Sequence, residues 1–178
     1  LDHEKAAVLR GAVAASDIVC SADTLIISGQ IGGAMGINKT GSGTLVLRGA
    51  NTYTGSTTIN AGCLATNAAD RIADMSNIVL ANVSGVMLSL GGNETIGSLS
   101  GGGTTGGDIS LGIYTLTVTQ ATSLTYGGSI SGTGGLTKMG AQTLTLSGSN
   151  TYSGTTAINA GGLTTSAANR LSDSSDIV

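Results

Sequence analysis

Residues able to do chemistry are few in this chain and stand far apart. Nucleophilic catalysis needs a Ser or Cys with a base beside it. His3 is the only histidine and no Gly-x-Ser-x-Gly elbow occurs, so His3 reads as a solvated surface residue. Cleavage of a glycosidic bond takes two facing carboxylates. Asp70, Asp74 and Asp173 are isolated, and a shift of 99 residues puts Asn169 where Asp70 stood. Cys20 and Cys63 belong to no Cys-x-x-Cys or Cys/His set; they read as small, semi-buried thiols, with a disulfide between them as the alternative. The run Gly101-Gly102-Gly103-Thr104-Thr105-Gly106-Gly107-Asp108 suggests a phosphate cradle or a calcium-binding nonapeptide. It lacks the following Gly-Lys-Ser/Thr and any repeated Asp, and reads better as a glycine-rich corner. The expectation is a non-enzymatic chain with no catalytic, cofactor-binding or metal site.

Composition narrows the class further. The chain has 178 residues with 30 Gly, four Tyr, no Pro, no Phe and no Trp, yet 40% are hydrophobic. Gly-rich disordered chains are poor in aliphatic and β-branched residues, whereas Leu, Ile, Val and Thr here recur in alternating runs. A folded, β-rich body is expected. Formal charge is −3 with no basic stripe, which argues against nucleic-acid binding. No apolar run approaches a membrane span and no basic amphipathic segment is present, so membrane insertion is not expected. The opening LDHEKAAVLRG lacks a signal-peptide pattern and does not begin with Met, and reads as part of a mature or excised piece.

The elements that position these residues follow from repetition. Residues 31–79 and 130–178 carry the same 49-residue pattern at an offset of 99, without a gap. A unit that cannot bury its own apolar face must stack on its neighbour, which makes an elongated solenoid. Strands are expected at Thr44-Leu45-Val46-Leu47, Thr57-Thr58-Ile59, Val86-Met87-Leu88-Ser89-Leu90, Tyr114-Thr115-Leu116-Thr117-Val118 and Thr143-Leu144-Thr145-Leu146. Corners fall at Gly41, Gly49, Gly55, Gly62 and their copies Gly140, Gly148, Gly154 and Gly161. Asn51, Asn60, Asn150 and Asn159 flank them, and positive φ and Asx turns are expected there. Mild helical character is confined to Leu1 through Ala15, with a short helical or bent turn at 68–72 and 167–171. Lys39 and Lys138 read as turn caps facing solvent. Tyr53 and Tyr152 read as corner-packing residues, with a sugar platform as the alternative. Thr-x-Thr pairs at 115/117 and 143/145 recur at irregular spacing, which disfavours an ice-binding lattice.

Residues 1–27 fall on 92–118 at an offset of 91, a degraded further copy. The chain therefore divides into degenerate N-terminal rungs (1–30), a first repeat (31–79), connecting rungs (80–129) and a second repeat (130–178), all within one solenoid over 1–178. At roughly 20–25 residues per rung this makes about eight rungs.

Gly135-Leu136-Thr137-Lys138-Met139-Gly140, Thr143-Leu144-Thr145-Leu146-Ser147-Gly148, Asn150-Thr151-Tyr152-Ser153-Gly154 and Ile158-Asn159-Ala160-Gly161-Gly162-Leu163 closely resemble the passenger-associated β-strand repeat of bacterial autotransporters. The first copy repeats them through Lys39, Gly41, Gly49, Asn51, Tyr53, Gly55, Ile59, Asn60, Gly62 and Leu64. The resemblance implies a right-handed parallel β-helix, exported through the outer membrane of a Gram-negative bacterium and displayed at the cell surface. It implies an adhesin shaft or extracellular fibre; the alternative is a binding module that recognises host glycan or matrix protein through one face. Such a module would need an exposed patch, for which only Tyr53, Tyr114, Tyr126 and Tyr152 are available. Complementary open ends lead us to expect head-to-tail self-association.

Overall fold

The computed structural model describes residues 5–6, 17–167, 171 and 178. The described residues form short parallel strands wound into a solenoid with three faces. Face A stacks β1 (Lys5–Ala6), β3 (Thr24–Ile27), β5 (Thr44–Leu47), β7 (Cys63–Thr66), β9 (Met87–Ser89), β12 (Asp108–Ser110) and β15 (Ile130–Ser131). Face B stacks β2 (Asp17–Val19), β4 (Ile37–Thr40), β6 (Thr57–Ile59), β8 (Ile78–Leu80), β11 (Leu99–Gly101), β14 (Leu124–Tyr126), β17 (Thr143–Leu146) and β19 (Gly162–Thr165). Face C stacks β10 (Glu94–Ile96), β13 (Leu116–Val118), β16 (Leu136–Lys138) and β18 (Thr156–Ile158). The eight strands of face B bound seven turns, and about eight rungs were expected.

Alternation explains why these segments stack. In β5 and β17 the Thr and Val positions face outward and the Leu positions inward. Register then places like on like: Leu25, Leu45, Leu64, Leu88, Ile109 and Ile130 form one column inside face A. The last five of these are fully buried. Each such side chain contributes about 1.5–3 kcal/mol of burial.

The chain visits the faces in the order A, C, B. Strand β4 of the first repeat lies on face B, and its copy β16 lies on face C. Likewise β5 and β7 lie on face A, and their copies β17 and β19 on face B. Ninety-nine residues therefore advance the stack by four and two-thirds turns, so the second copy is rotated by one face relative to the first.

Three expected strands match the observed bounds, at 44–47, 57–59 and 143–146, while those at 86–90 and 114–118 are shorter, at 87–89 and 116–118. No helix occurs among the described residues, and 67–70 is a bend in which Asp70 has φ 54°. The expected helical character of 1–15 fails at Lys5–Ala6, which form a strand paired in parallel with β3; the rest of 1–15 lies outside the described residues, as do 168–170 of the turn expected at 167–171, His3 and Asp173.

The glycine corners divide into two kinds. Gly41 and Gly140 have φ of 74° and 76°, as expected. Gly148 is needed for a different reason: a Cβ there would lie 1.9 Å from the carbonyl oxygen of Gly128 on the turn before. Asn51 and Asn150 also depart from expectation, since among the described non-glycine residues only Asp70 has positive φ.

The disulfide alternative does not fit. Cys20 donates its N–H to Thr40 on the next turn, and Cys63 lies one turn further on. Two strand spacings come to about 10 Å, beyond the roughly 7 Å limit for bridged Cα atoms. Both thiols are free.

Candidate functional site

Buried polar groups gather at the corners of the coil, and the repeat supplies the same set twice. Tyr53 and Tyr152 are buried, with hydroxyls 2.6 Å and 2.7 Å from Thr57 Oγ1 and Thr156 Oγ1. Thr57 passes the network on to Ser76 Oγ at 2.8 Å, and Ser76 donates to the Gly55 carbonyl. Asn51 Oδ1 accepts the N–H of Ile31 at 2.7 Å, and Asn150 Oδ1 accepts that of Ile130 at 2.9 Å. These asparagines act as rungs between turns, occupying the place of a strand where the chain rounds a corner. Their work is to leave no buried backbone donor unpaired.

Lys39 and Lys138 are fully buried, which corrects the expectation that they face solvent. Strand alternation puts both inward, in register with Ile59 and with Val118 and Ile158. Lys39 Nζ donates to the carbonyls of Thr40, Gly41 and Ala61 at 3.0, 2.7 and 2.8 Å. Lys138 Nζ donates to those of Met139, Gly140 and Ala160 at 2.6, 2.9 and 3.2 Å. Three donors meet three acceptors, so the lysine does cap a turn, from inside. Burial pulls both ammonium groups below their ordinary pKa.

Glu94 is a buried carboxylate that sequence reasoning missed. It accepts the backbone N–H of Arg71 at 3.0 Å and that of Ile72 at 3.1 Å, which ties the bend at 67–70 to the next turn. Desolvation pushes its pKa up to about 7, against the opposing pull of those N–H groups. The signal was available: Glu94 shares its strand phase with the inward-facing Ile96.

Loops 81–86 and 102–107 are longer than the corner turns at 127–129 and 147–149, and they form a ledge between faces B and A. Thr105 N–H donates to Asn82 Oδ1, which joins the two loops. A groove of about 370 Å³ lies against this ledge, lined by Gly103, Thr104, Asp108, Ser129, Ser147 and Ser149 among others. Asp108 Oδ1 accepts the N–H of Ser129 at 2.8 Å. Tyr126 is buried with its hydroxyl on the Gly107 carbonyl, so the tyrosines do not form an exposed sugar platform; Tyr114 is half-buried. Thr117 lies on face C and Thr143 and Thr145 on face B, so the Thr-x-Thr pairs do not rank on one face; on face C the single residues Thr95, Thr117 and Thr137 stack once per turn. That column is one residue wide and gives way to Ala157.

Among the described residues no three His, Cys, Asp or Glu side chains gather where they could hold a metal ion. No helix there is long and apolar enough to cross a membrane.

Two stretches, 37–65 and 136–164, match the family described as passenger-associated-transport-repeat. A similar protein is the adhesin BmaC autotransporter of Brucella suis biovar 1 (strain 1330), 40% identical over 157 residues. The match takes in 86% of this chain and 5% of that relative's length. No solved structure is significantly similar. Each matched stretch carries one buried lysine nest, one corner asparagine and one Tyr–Thr pair, and the chain is a β-solenoid that carries two passenger-associated-transport repeats.

Proposed function

We propose that this chain is a non-enzymatic shaft segment of a surface-displayed or secreted adhesin of a Gram-negative bacterium. The observation that carries the reading is the use of its buried polar groups. Lys39, Lys138, Asn51 and Asn150 are spent on carbonyls and N–H groups of neighbouring turns, and Tyr53 and Tyr152 on hydroxyls of their own turn. Such groups stiffen a rod and leave nothing aimed at a substrate. The similarity to an adhesin autotransporter supports the surface location and the non-enzymatic role.

A second reading, a module binding host glycan or matrix protein, is favoured by the ledge and its groove beside Asp108. Arrays of host glycans and matrix proteins probed with the purified chain separate the two. The shaft reading predicts no signal above background. A specific signal that is lost when loops 81–86 and 102–107 are shortened supports the module instead.

We also propose end-to-end stacking. It is supported by β19, whose outer edge carries no strand among the described residues, and by the partial exposure of Ile158 beside it. Sedimentation that shows only monomer at high concentration contradicts it.

A further inference from the structure

Methionine is usually a core residue, yet all four methionines of this chain are at least a third exposed. The exposures are 51% for Met35, 71% for Met75, 38% for Met87 and 39% for Met139. Three of them share one corner of the coil, between faces C and B. Gly55 lies against the backbone of Met35, and Ser76, next to Met75, donates to the Gly55 carbonyl. Gly97 lies against the Met75 carbonyl, Thr119 donates to the carbonyls of Ile96 and Gly97, and Met139 N–H donates to Val118. The column therefore runs Met35, Gly55, Met75, Gly97, Thr119, Met139 over six successive turns. At strand spacing the thioethers sit about 10 Å and then about 14 Å apart.

We propose that Met35, Met75 and Met139 form a line of oxidation sites for two-electron oxidants of the peroxide class, converted to sulfoxides without loss of the fold. In each step the sulfur lone pair attacks one peroxide oxygen, and the S–O bond forms as the O–O bond breaks. The departing hydroxide takes the remaining proton and leaves as water. Sulfur loses two electrons and the peroxide gains them. In a core, the polar sulfoxide would disrupt packing; here the side chains stand outside the stacked Leu and Ile columns. The thiols are placed differently. Cys20 is buried, and desolvation holds both thiols above their ordinary pKa, which withholds the reactive thiolate. Oxidation thus turns an apolar edge of the rod polar and leaves the rod standing.

The test treats the purified chain with hydrogen peroxide at pH 5, where thiolate is suppressed further, and follows oxygen uptake by peptide mass. The expected order is Met75, then Met35, then Met139, with both thiols still titratable and the far-ultraviolet β signal unchanged when all three are oxidised. A variant carrying M35L, M75L and M139L should keep the same β signal and take up oxygen only at Met87. Uptake at Met75 no faster than at Met139, or loss of the β signal as the methionines oxidise, overturns the proposal. The wild-type measurement stands even if the triple variant does not fold.

Discussion

Residues 31–79 and 130–178 carry the same motifs, yet no strand of the first copy shares a sheet with its counterpart in the second. Even Val178 follows the rule. It pairs with β18 on face C, whereas its counterpart Val79 lies in β8 on face B. The contacts inside each copy are nonetheless the same: Tyr to Thr at 2.6 and 2.7 Å, and a lysine in a nest of three carbonyls. The motif therefore needs a turn below it and a turn above it, and is indifferent to which face it occupies. A three-faced coil with near-equivalent corners can place the next copy a third of a turn short of a whole number of turns and bury the same groups each time.

Glycine substitutions should strain this equivalence most. Gly49 and Gly148 are counterparts whose added Cβ would meet a carbonyl of the preceding turn at 2.2 and 1.9 Å. Ala at either should cost at least about 2–4 kcal/mol in thermal or denaturant unfolding, because backbone on both sides must move. Gly85 has open space around its Cβ position and a φ of 81°, so Ala there should cost only about 1 kcal/mol of backbone strain. Equal losses at all three positions would mean that close stacking is not what glycine serves here.

Glu94 lies in the connecting rungs, outside both repeats, and should give the stack a pH dependence that neither repeat supplies. Its folded pKa, near 7, is raised above an unfolded value of about 4.5. The folded state therefore holds the proton more tightly. The associated stability is fully present below about pH 4.5, is lost as pH rises towards 7, and is constant above. The change is on the order of 3 kcal/mol. Melting midpoints of the wild type and Glu94→Gln should diverge across that window, the wild type falling as pH rises and the variant staying flatter. Parallel curves would contradict the buried placement.

A smaller difference separates the two lysines. Lys39→Met or Lys138→Met leaves three carbonyls without their donor, a loss of about 1–3 kcal/mol. Lys39 is followed by more stacked turns than Lys138, so its loss should lower the unfolding midpoint more. The reverse order would show that the nests are not equivalent.

Much of this was legible in the sequence, and what was not has three physical causes. Strands such as Thr44–Leu47 show in the alternation alone, and the doubled motif names the architecture. Lys39, Lys138 and Glu94 are hidden by their charge, which suggests solvent, although each shares its strand phase with an inward aliphatic, Ile37, Leu136 and Ile96. Asn51 looked like a turn-former because its partner, the Ile31 N–H, is 20 residues away and only stacking brings it near. The rotation of the copies was hidden because an offset of 99 does not state how many turns it contains.

That rotation is the central claim, and engineered cysteine pairs test it most directly, in a background carrying Cys20→Ser and Cys63→Ser. Thr137 of the second copy should lie beside Thr117 on face C, so T117C with T137C should cross-link on mild oxidation. If the copies shared a face, Thr137 would instead follow Thr125 on face B. The account predicts a bond between 117 and 137 and none between 125 and 137; the opposite pattern would contradict it.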